Sequence, residues 1–219
     1  MTPYVVRRGD HLVKIATSRN LDPDAVWQHP KNADLRKKRK SMHVLCSGDI
    51  VFLPDAPPAK WLPVNVGASN SFVATVPTVK ISVVFSRAGK PLAGESCTVD
   101  ELPALGSLTT DGSGSLTFQA PLHLEHMTVS FAKYGVKYGL RVGHLDPVEE
   151  PSGVLQRLRN MGYTRRVPGG GVWRGSGPQS PDEAELLHGL IAFQAAQKLP
   201  PTGILDQATR DALAKQHGC

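Results

Sequence analysis

The chain lacks the long apolar run that a membrane-spanning helix needs, about 18 consecutive residues, at any point in its 219 positions. Its first residues, Met1 to Arg8, lack a basic stretch leading into an apolar core, so no ordinary secretory signal is expected there. Cysteine is scarce. Cys46, Cys97 and Cys219 are an odd number, lie far apart and form no Cys-x-x-Cys pair, which argues against a disulfide framework and excludes a zinc cage built of thiolates. They read as incidental or buried thiols of a chain made in a reducing compartment. With 40% hydrophobic and 20% charged residues, the composition is too apolar for a disordered chain and too polar for a membrane protein. What the chain has in quantity is turn chemistry. Eighteen prolines and 21 glycines argue against one continuous bundle and for several short units.

The net charge is +6, and the basic excess sits in the first 55 residues, in Lys31 and the run Arg36-Lys37-Lys38-Arg39-Lys40. Such a run is a solvated surface or a contact with an anionic polymer. No aromatics are interleaved for stacking on bases, so nucleic acid is not expected as a partner.

Two proline-rich joints divide the chain: Asp55-Ala56-Pro57-Pro58-Ala59-Lys60-Trp61-Leu62-Pro63, stiff and extended, and Asp146-Pro147-Val148-Glu149-Glu150-Pro151. The expected domains are 1–55, a linker at 56–63, then 64–147 and 148–219.

In the first segment Tyr4-Val5-Val6 reads as a strand, and Asp10 as the cap of a short helix carrying Leu12, Ile15 and Ala16. Asp22-Pro23 starts a second helix with Val26 and Trp27 on its buried face. His29-Pro30 ends it, because a residue before proline leaves helical angles. Asn32 is expected to cap one further turn bearing Leu35. Gly48-Asp49 turns into a closing strand, Ile50 to Leu53. These residues carry a resemblance. Tyr-Val-Val-x-x-Gly-Asp-x-Leu-x-x-Ile-Ala at 4–16, with Leu-x-x-Gly-Asp-x-x-x-Leu-Pro at 45–54, resembles a LysM domain. The resemblance implies a βααβ module that binds glycans containing N-acetylglucosamine, in peptidoglycan or chitin. It places the groove at Gly9, Asp10, His11 and Leu12 on one side, and at Val44, Leu45, Cys46 and Ser47 on the other. Two departures stand out: the stretch 32–44 is longer and more basic than the family's, and Cys46 takes a position where proline is common. Asp10 remains equally readable as a plain cap, and Leu12 as plain core.

The middle segment reads as about six strands with turns between them, hence a small β-sandwich. Val79 to Phe85 alternates at first, Ser96 to Val99 follows, and Met127 to Phe131 and Lys137 to Val142 come last. Leu108-Thr109-Thr110 and Ser115 to Phe118 read as a hairpin across Asp111-Gly112-Ser113-Gly114. Gly89-Lys90-Pro91-Leu92-Ala93-Gly94, with Thr110-Asp111 and its glycines, is similar to bacterial immunoglobulin-like and carboxypeptidase-regulatory-like domains, which implies a spacer.

The last segment is helical. Ser152 is expected to cap a helix bearing Val154, Leu155, Leu158 and Met161 and stopped at Gly162. A glycine-rich loop spans 165–177. Ser180-Pro181-Asp182-Glu183 starts a second helix, with Leu187, Leu190, Ile191 and Phe193 as its apolar face. Asp206 caps a third, with Ala208, Ala212 and Leu213, ended by Gly218. Val-Leu-Gln-x-Leu-x-x-Met-Gly-Tyr at 154–163, Phe-Gln at 193–194 and Leu-Pro-x-Thr-Gly-x-Leu-Asp-x-x-Thr-x-x-x-Leu at 199–213 resemble the three-helix peptidoglycan-binding domain found beside many cell-wall hydrolases. Leu155, Leu158, Phe193, Leu205 and Leu213 should be core, and Gln194 and Thr209 should brace rather than touch ligand. Trp173 either stacks on a sugar face or covers the bundle.

The order of units resembles small peptidoglycan-binding proteins of type VI secretion and related contractile injection systems. A multidomain α+β architecture follows: a βααβ LysM-like unit, a β-sandwich spacer and a three-helix bundle. Catalytic equipment is not evident. Of the eight histidines only His123 and His126 lie close, with Glu125 between them, which is an incomplete metal set. The acids mark caps and turns rather than a glycosidase pair, and Cys46 with His43 has no deep scaffold. The expected protein is therefore non-catalytic, without cofactor or metal. It binds peptidoglycan, is made in the cytoplasm, and acts in the periplasm or outside after non-Sec export. The alternative is a structural adaptor that holds a spike or effector of a contractile machine.

Overall fold

Residues 1–58, 61–73, 75–87, 89–164 and 181–217 are described by the computed structural model. The chain divides into one unit of residues 1–43 with 47–144, and a second of 44–46 with 145–219.

The first unit begins with β1 (Thr2–Val5). Three short helices follow, α1 (Leu12–Thr17), α2 (Pro23–Gln28) and α3 (Ala33–Lys38), the last preceded by a 3-10 turn at Pro30–Asn32. β2 (Ile50–Leu53) then pairs antiparallel with β1, Thr2 opposite Leu53 and Val5 opposite Ile50. Two four-residue strands form no stable sheet alone. Their alternate residues Val51 and Leu53 are buried, as are Leu12, Ile15, Ala16, Val26 and Leu35 of the helices. Asp22 caps α2, its carboxylate accepting from the Asp24 N–H at 3.1 Å, and His29 leaves helical angles at ψ 135.

Two expected caps fall differently. His11, not Asp10, occupies the N-cap of α1, its Nδ1 accepting from the Lys14 N–H at 3.4 Å. Asp10 braces the turn instead, accepting from Tyr4 Oη at 2.7 Å and the Arg7 N–H at 2.9 Å. Asn32 makes no side-chain cap to α3. Its buried amide donates to the carbonyls of Val26 (2.8 Å) and Phe52 (2.9 Å) and accepts from the Phe52 N–H (2.8 Å). It thereby meets one residue of β2 as a neighbouring strand would, where no strand is present.

The same unit continues through β3 (Thr78–Val84), β4 (Ser86–Arg87), β5 (Lys90–Pro91), β6 (Ser96–Val99), β7 (Leu108–Thr109), β8 (Ser115–Pro121), β9 (His126–Phe131) and β10 (Val136–Arg141). One sheet has the order β10-β9-β6-β7. β3 pairs with β8 in a second, and β4 with β5 in a small hairpin. All pairings are antiparallel. Inward residues of both larger sheets share one core: Val99, Met127, Val129 and Phe131 from the first, and Leu116, Phe118 and Ala120 from β8, with Phe85 and Leu92. Phe85 meets Phe131 edge-on at 5.2 Å, a favoured aromatic geometry. The hairpin expected across residues 111–114 does not form. β7 pairs with β6 and β8 with β3, so this turn carries the chain from one sheet to the other. The Asp111 carboxylate accepts from the N–H groups of Ser113 and Ser115, both at 2.8 Å. Gly114 (φ +80) passes so close that a Cβ would stand 2.6 Å from the Phe85 carbonyl. Local turn chemistry dictates a reversal without dictating which strand is then met.

The second unit holds α4 (Pro151–Asn160), α5 (Pro181–Ala196) and α6 (Gln207–His217). Val154, Leu158, Leu190, Phe193 and Leu213 form its core, with Tyr163 edge-on to Phe193 at 5.2 Å. α4 starts at Pro151 with Glu150 in the cap position, so Ser152 lies inside the first turn rather than capping it. Gly162 (φ +78) ends α4 as expected: its N–H reaches the Arg159 carbonyl, and the Tyr163 N–H reaches that of Leu158 at 2.9 Å. Asp206 caps α6 through the Thr209 N–H at 2.8 Å, whereas Ala208 is exposed rather than packed. The expected loop at 165–177, the cap at Ser180 and the stop at Gly218 lie outside the described residues.

Replacing Asn32 by leucine would strand the Phe52 N–H and the carbonyls it serves. At about 1–3 kcal/mol per orphaned buried group, Asn32→Leu should lower the unfolding free energy of the first unit by about 3 kcal/mol. Urea titration reads this, and a loss under about 1 kcal/mol contradicts the role given to the amide.

Candidate functional site

The turn Gly9–Leu12 joins β1 to α1, and the structure encloses it. Leu12 is fully buried with its N–H on the Met42 carbonyl at 3.1 Å. His11 is 4% exposed. Gly9 (φ +86) is buried beneath the chain at Gly143, where a Cβ would stand 2.6 Å from the Gly9 carbonyl oxygen. Lys14 donates to that same oxygen at 3.4 Å and pairs with the Glu125 carboxylate. That pairing holds the Glu125 carboxyl below its usual range. His144 Nε2 is buried without a hydrogen-bond partner, 3.7 Å from Glu125 Oε2. On the other side of the expected groove Leu45 is buried, Val44 and Cys46 are half-buried and Ser47 is exposed. Val44–Cys46 group with the second unit and Gly9–Leu12 with the first. Of the eight residues only Ser47 is fully open, and Asp10 is half-buried with its Oδ2 engaged by the turn. Trp173 lies outside the described residues.

The basic run separates into structural and solvent-facing members. Arg36 donates to the carbonyls of Trp27 and of His29 (3.0 Å), tying α3 to the end of α2. Arg39 is 2% exposed and binds the buried Asp49 twice, Nε to Oδ2 at 2.8 Å and Nη2 to Oδ1 at 3.1 Å. Lys38 adds a contact to Asp49 at 3.2 Å, and Lys37 and Lys40 are exposed. A buried guanidinium needs such a bidentate partner, because desolvation is offset only by complete hydrogen bonding. Burial at Arg39 is the part that a run of like charges conceals.

The second unit presents a different kind of surface. The loop between α5 and α6 is built around Gln194, which is fully buried. Its Nε2 donates to the Ile204 carbonyl at 2.9 Å and to Thr209 Oγ1 at 3.0 Å, and its Oε1 accepts from the Gly203 N–H at 2.8 Å. Gly203 (φ +70) lies against α5, where a Cβ would meet the Leu187 side chain and Ile191 Cγ1 at 3.3 Å. So held, the loop exposes Ile204 by 66% beside Ile191 at 37% and the open Thr202. An apolar pair beside a hydroxyl suits a ligand that carries methyl groups next to hydrogen-bonding groups. Gln194 and Thr209 are bracing residues, and Leu155, Leu158, Phe193 and Leu213 are buried.

Close packing beneath the loop uses two residues that the sequence reading passes over. A Cβ on Gly189 would stand 2.7 Å from Thr164 Cγ2 and 3.1 Å from Leu158 Cδ1, so glycine lets α5 approach α4. Arg159 at the end of α4 reaches Asp182 (2.9 Å) and Glu185 (2.6 Å) in the first turns of α5, each charge near the helix end that favours it.

Residues 154–213, which run from α4 into α6, match the family model of a putative peptidoglycan binding domain. Comparison with curated proteins and with solved structures yields no match. The domain supports a cell-wall binding role with peptidoglycan as the partner. Among the described residues no three His, Cys, Asp or Glu side chains converge as a metal site, and no helix is long and apolar enough to cross a membrane.

Burial pushes the His11 pKa down to about 4, with the His43 and Lys14 charges adding to the effect and Asp10 and Glu125 opposing it. The folded state therefore holds His11 neutral, while the unfolded chain takes up a proton below about 6.5. Stability from this group is complete above pH 6.5 and is lost as pH falls towards 4, by up to about 3 kcal/mol. Asparagine retains a capping oxygen without titrating. His11→Asn should flatten the difference in unfolding free energy between pH 7 and pH 4.5, measured by urea titration. An unchanged slope would sink this assignment.

Proposed function

We propose that the protein is a non-catalytic peptidoglycan-binding protein, and that the α5–α6 loop of residues 154–213 is the surface that meets the wall. The family match over these residues carries the reading. The exposed Ile204, on a loop that Gln194 braces, and Ile191 on α5 give it a contact surface. Peptidoglycan offers acetyl and alanyl methyl groups beside amides and hydroxyls, the pairing this surface can take. A polymer with many equivalent sites does not require a deep pocket, since weak contacts on one chain combine. The LysM-like resemblance of residues 1–55 supports a second glycan-binding element. The order of units supports association with a type VI-like secretion apparatus and export by such a route to the periplasm or beyond.

A second reading rests on a separate observation. Trp61 is 92% exposed, and Leu62, Val64, Val66, Phe72 and Val73 are exposed along the same irregular stretch. Large apolar side chains grouped at a surface favour a protein partner, which suits an adaptor that holds a spike or effector. A pulldown with spike and effector proteins separates the two: a stoichiometric complex lost on Trp61→Ser would favour the adaptor.

For the wall-binding reading, wild-type protein should co-sediment with purified sacculi. Ile204→Asp should weaken binding about tenfold, near 1.4 kcal/mol, with an unchanged melting temperature. A chain that stays in the supernatant at low salt, or an Ile204→Asp variant that sediments like wild type, overturns it.

A further inference from the structure

The two larger sheets of the first unit are unequal: one has four strands, and the other has only β3 and β8. A sheet ends in edges whose unpaired N–H and C=O groups are a template for another strand. Three of these four edges are blunted. β7 is two residues long. On β8 the Ser115 N–H is taken by the Asp111 carboxylate at 2.8 Å, and Pro121 has no N–H. On β10 the Val142 N–H donates to the Glu125 carbonyl in register with the β9 pairing, so Lys137, Gly139 and Arg141 turn their backbone outward. Two cations and a glycine disfavour a further strand there.

β3 is the exception. The Phe85 N–H donates to the Gly114 carbonyl at 2.9 Å, and the Leu122 N–H to the Pro77 carbonyl at 3.0 Å, at the two ends of the β3–β8 register. Hydrogen-bonded pairs alternate along an antiparallel ladder. Val79, Ile81 and Val83 therefore turn their backbone to β8, and Thr78, Lys80, Ser82 and Val84 turn theirs away. None of those four N–H groups has a partner among the described residues, and all four side chains are exposed. Ile81 and Val83 pack on the core yet stay half-buried, as at a seam open on one side.

We propose that β3 pairs antiparallel with β3 of a second copy, giving a symmetric dimer with a continuous four-stranded sheet in the order β8-β3-β3-β8. The two-fold axis passes at Ile81. Thr78 then stands opposite Val84 of the second copy, and Lys80 opposite Ser82, and each such pair exchanges both of its hydrogen bonds. A register centred on Lys80 would set two ammonium groups directly opposite, which is destabilising, so the single lysine of this edge selects the register. The contact uses up the open edge of both copies, and the blunted β8 edges that remain stop growth at two chains. The proposal is independent of the wall-binding reading. On a wall polymer the dimer would present residues 154–213 twice.

Sedimentation velocity of the full chain should show a reversible monomer–dimer equilibrium with a Kd above about 1 μM, because one strand pair is a small interface. Amide exchange at Thr78, Lys80, Ser82 and Val84 should slow as protein concentration rises, while exchange at Val79 and Ile81 stays constant. Ser82→Pro removes an outward N–H that β8 does not use and should abolish the dimer. Ser82→Lys sets a second cation opposite Lys80 with the backbone intact and should weaken the dimer about tenfold, which keeps the test decisive where proline unfolds the strand. Lys80→Glu combined with Ser82→Lys places opposite charges face to face across the axis and should restore dimerisation. A chain that stays monomeric at about 1 mM, far above the Kd expected of a specific contact, overturns the proposal. So does a dimer that survives Ser82→Lys, that the double variant fails to restore, or that is lost on Trp61→Ser with exchange at residues 78–84 unaltered.

Discussion

The side-chain amide of Gln194 offers two N–H donors and a carbonyl, and the loop after α5 uses both ends of it. A loop with no regular partner has backbone groups that water must otherwise satisfy. Here a buried glutamine satisfies the Gly203 N–H and the Ile204 carbonyl and joins them to Thr209 on α6. The exposed Ile204 is consequently carried by a braced backbone rather than by a loose segment. A surface that must contact an extended polymer gains from this, because less ordering entropy remains to be lost on contact.

Asn32 performs the same operation in the first unit. It reaches β2 through both hydrogen-bonding groups of Phe52 and returns to α2 through the Val26 carbonyl. Both amides are almost fully buried, and both satisfy main-chain groups that helices and sheets leave over. In small units with short elements such groups are numerous relative to the apolar area available. One well-placed primary amide then does what a longer strand or helix would do elsewhere. The Arg39–Asp49 pair adds a charged counterpart, at a desolvation cost that its geometry offsets.

Much of the secondary structure was legible in the sequence, because it depends on local rules. Asp22-Pro23, Asp206 and Gly162 each act where their chemistry says they should. Periodicity located most of the helices and strands to within a few residues. The failures were of two physical kinds. Asp10, Ser152 and Asn32 are all competent caps, and what decided against them was a better use for the side chain or a proline one position earlier. The hairpin across residues 111–114 failed because register is settled by the core: Leu116, Phe118 and Ala120 must face Val129 and Phe131, which places β8 beside β3. Tertiary burial also hid Arg39 inside a run of like charges. For the candidate site, the bracing roles of Gln194 and Thr209 were legible from the motif. Exposure of Ile191 was not, since an isoleucine at helical spacing reads as core, and Ile204 stands at a position to which the motif gives no role. Gly189 gave no local signal, because a glycine's use in close approach depends on what lies opposite.

Enclosure of Gly9–Leu12 shows why a motif and an available surface differ. The residues of that turn are the right ones for a tight strand-to-helix connection, and the structure uses them so. Gly9 takes a positive φ, His11 caps, Leu12 fills the core and Asp10 ties the turn to Tyr4. Residues buried in the service of the fold offer a ligand little surface, whatever family motif they match. The surfaces that stay open lie elsewhere: Ile204 and Ile191 at the α5–α6 loop, with the exposed Thr202. Function in units this small therefore falls to atoms the fold has not already used. Counting satisfied donors and acceptors is a sharper guide to the contact surface than matching sequence letters.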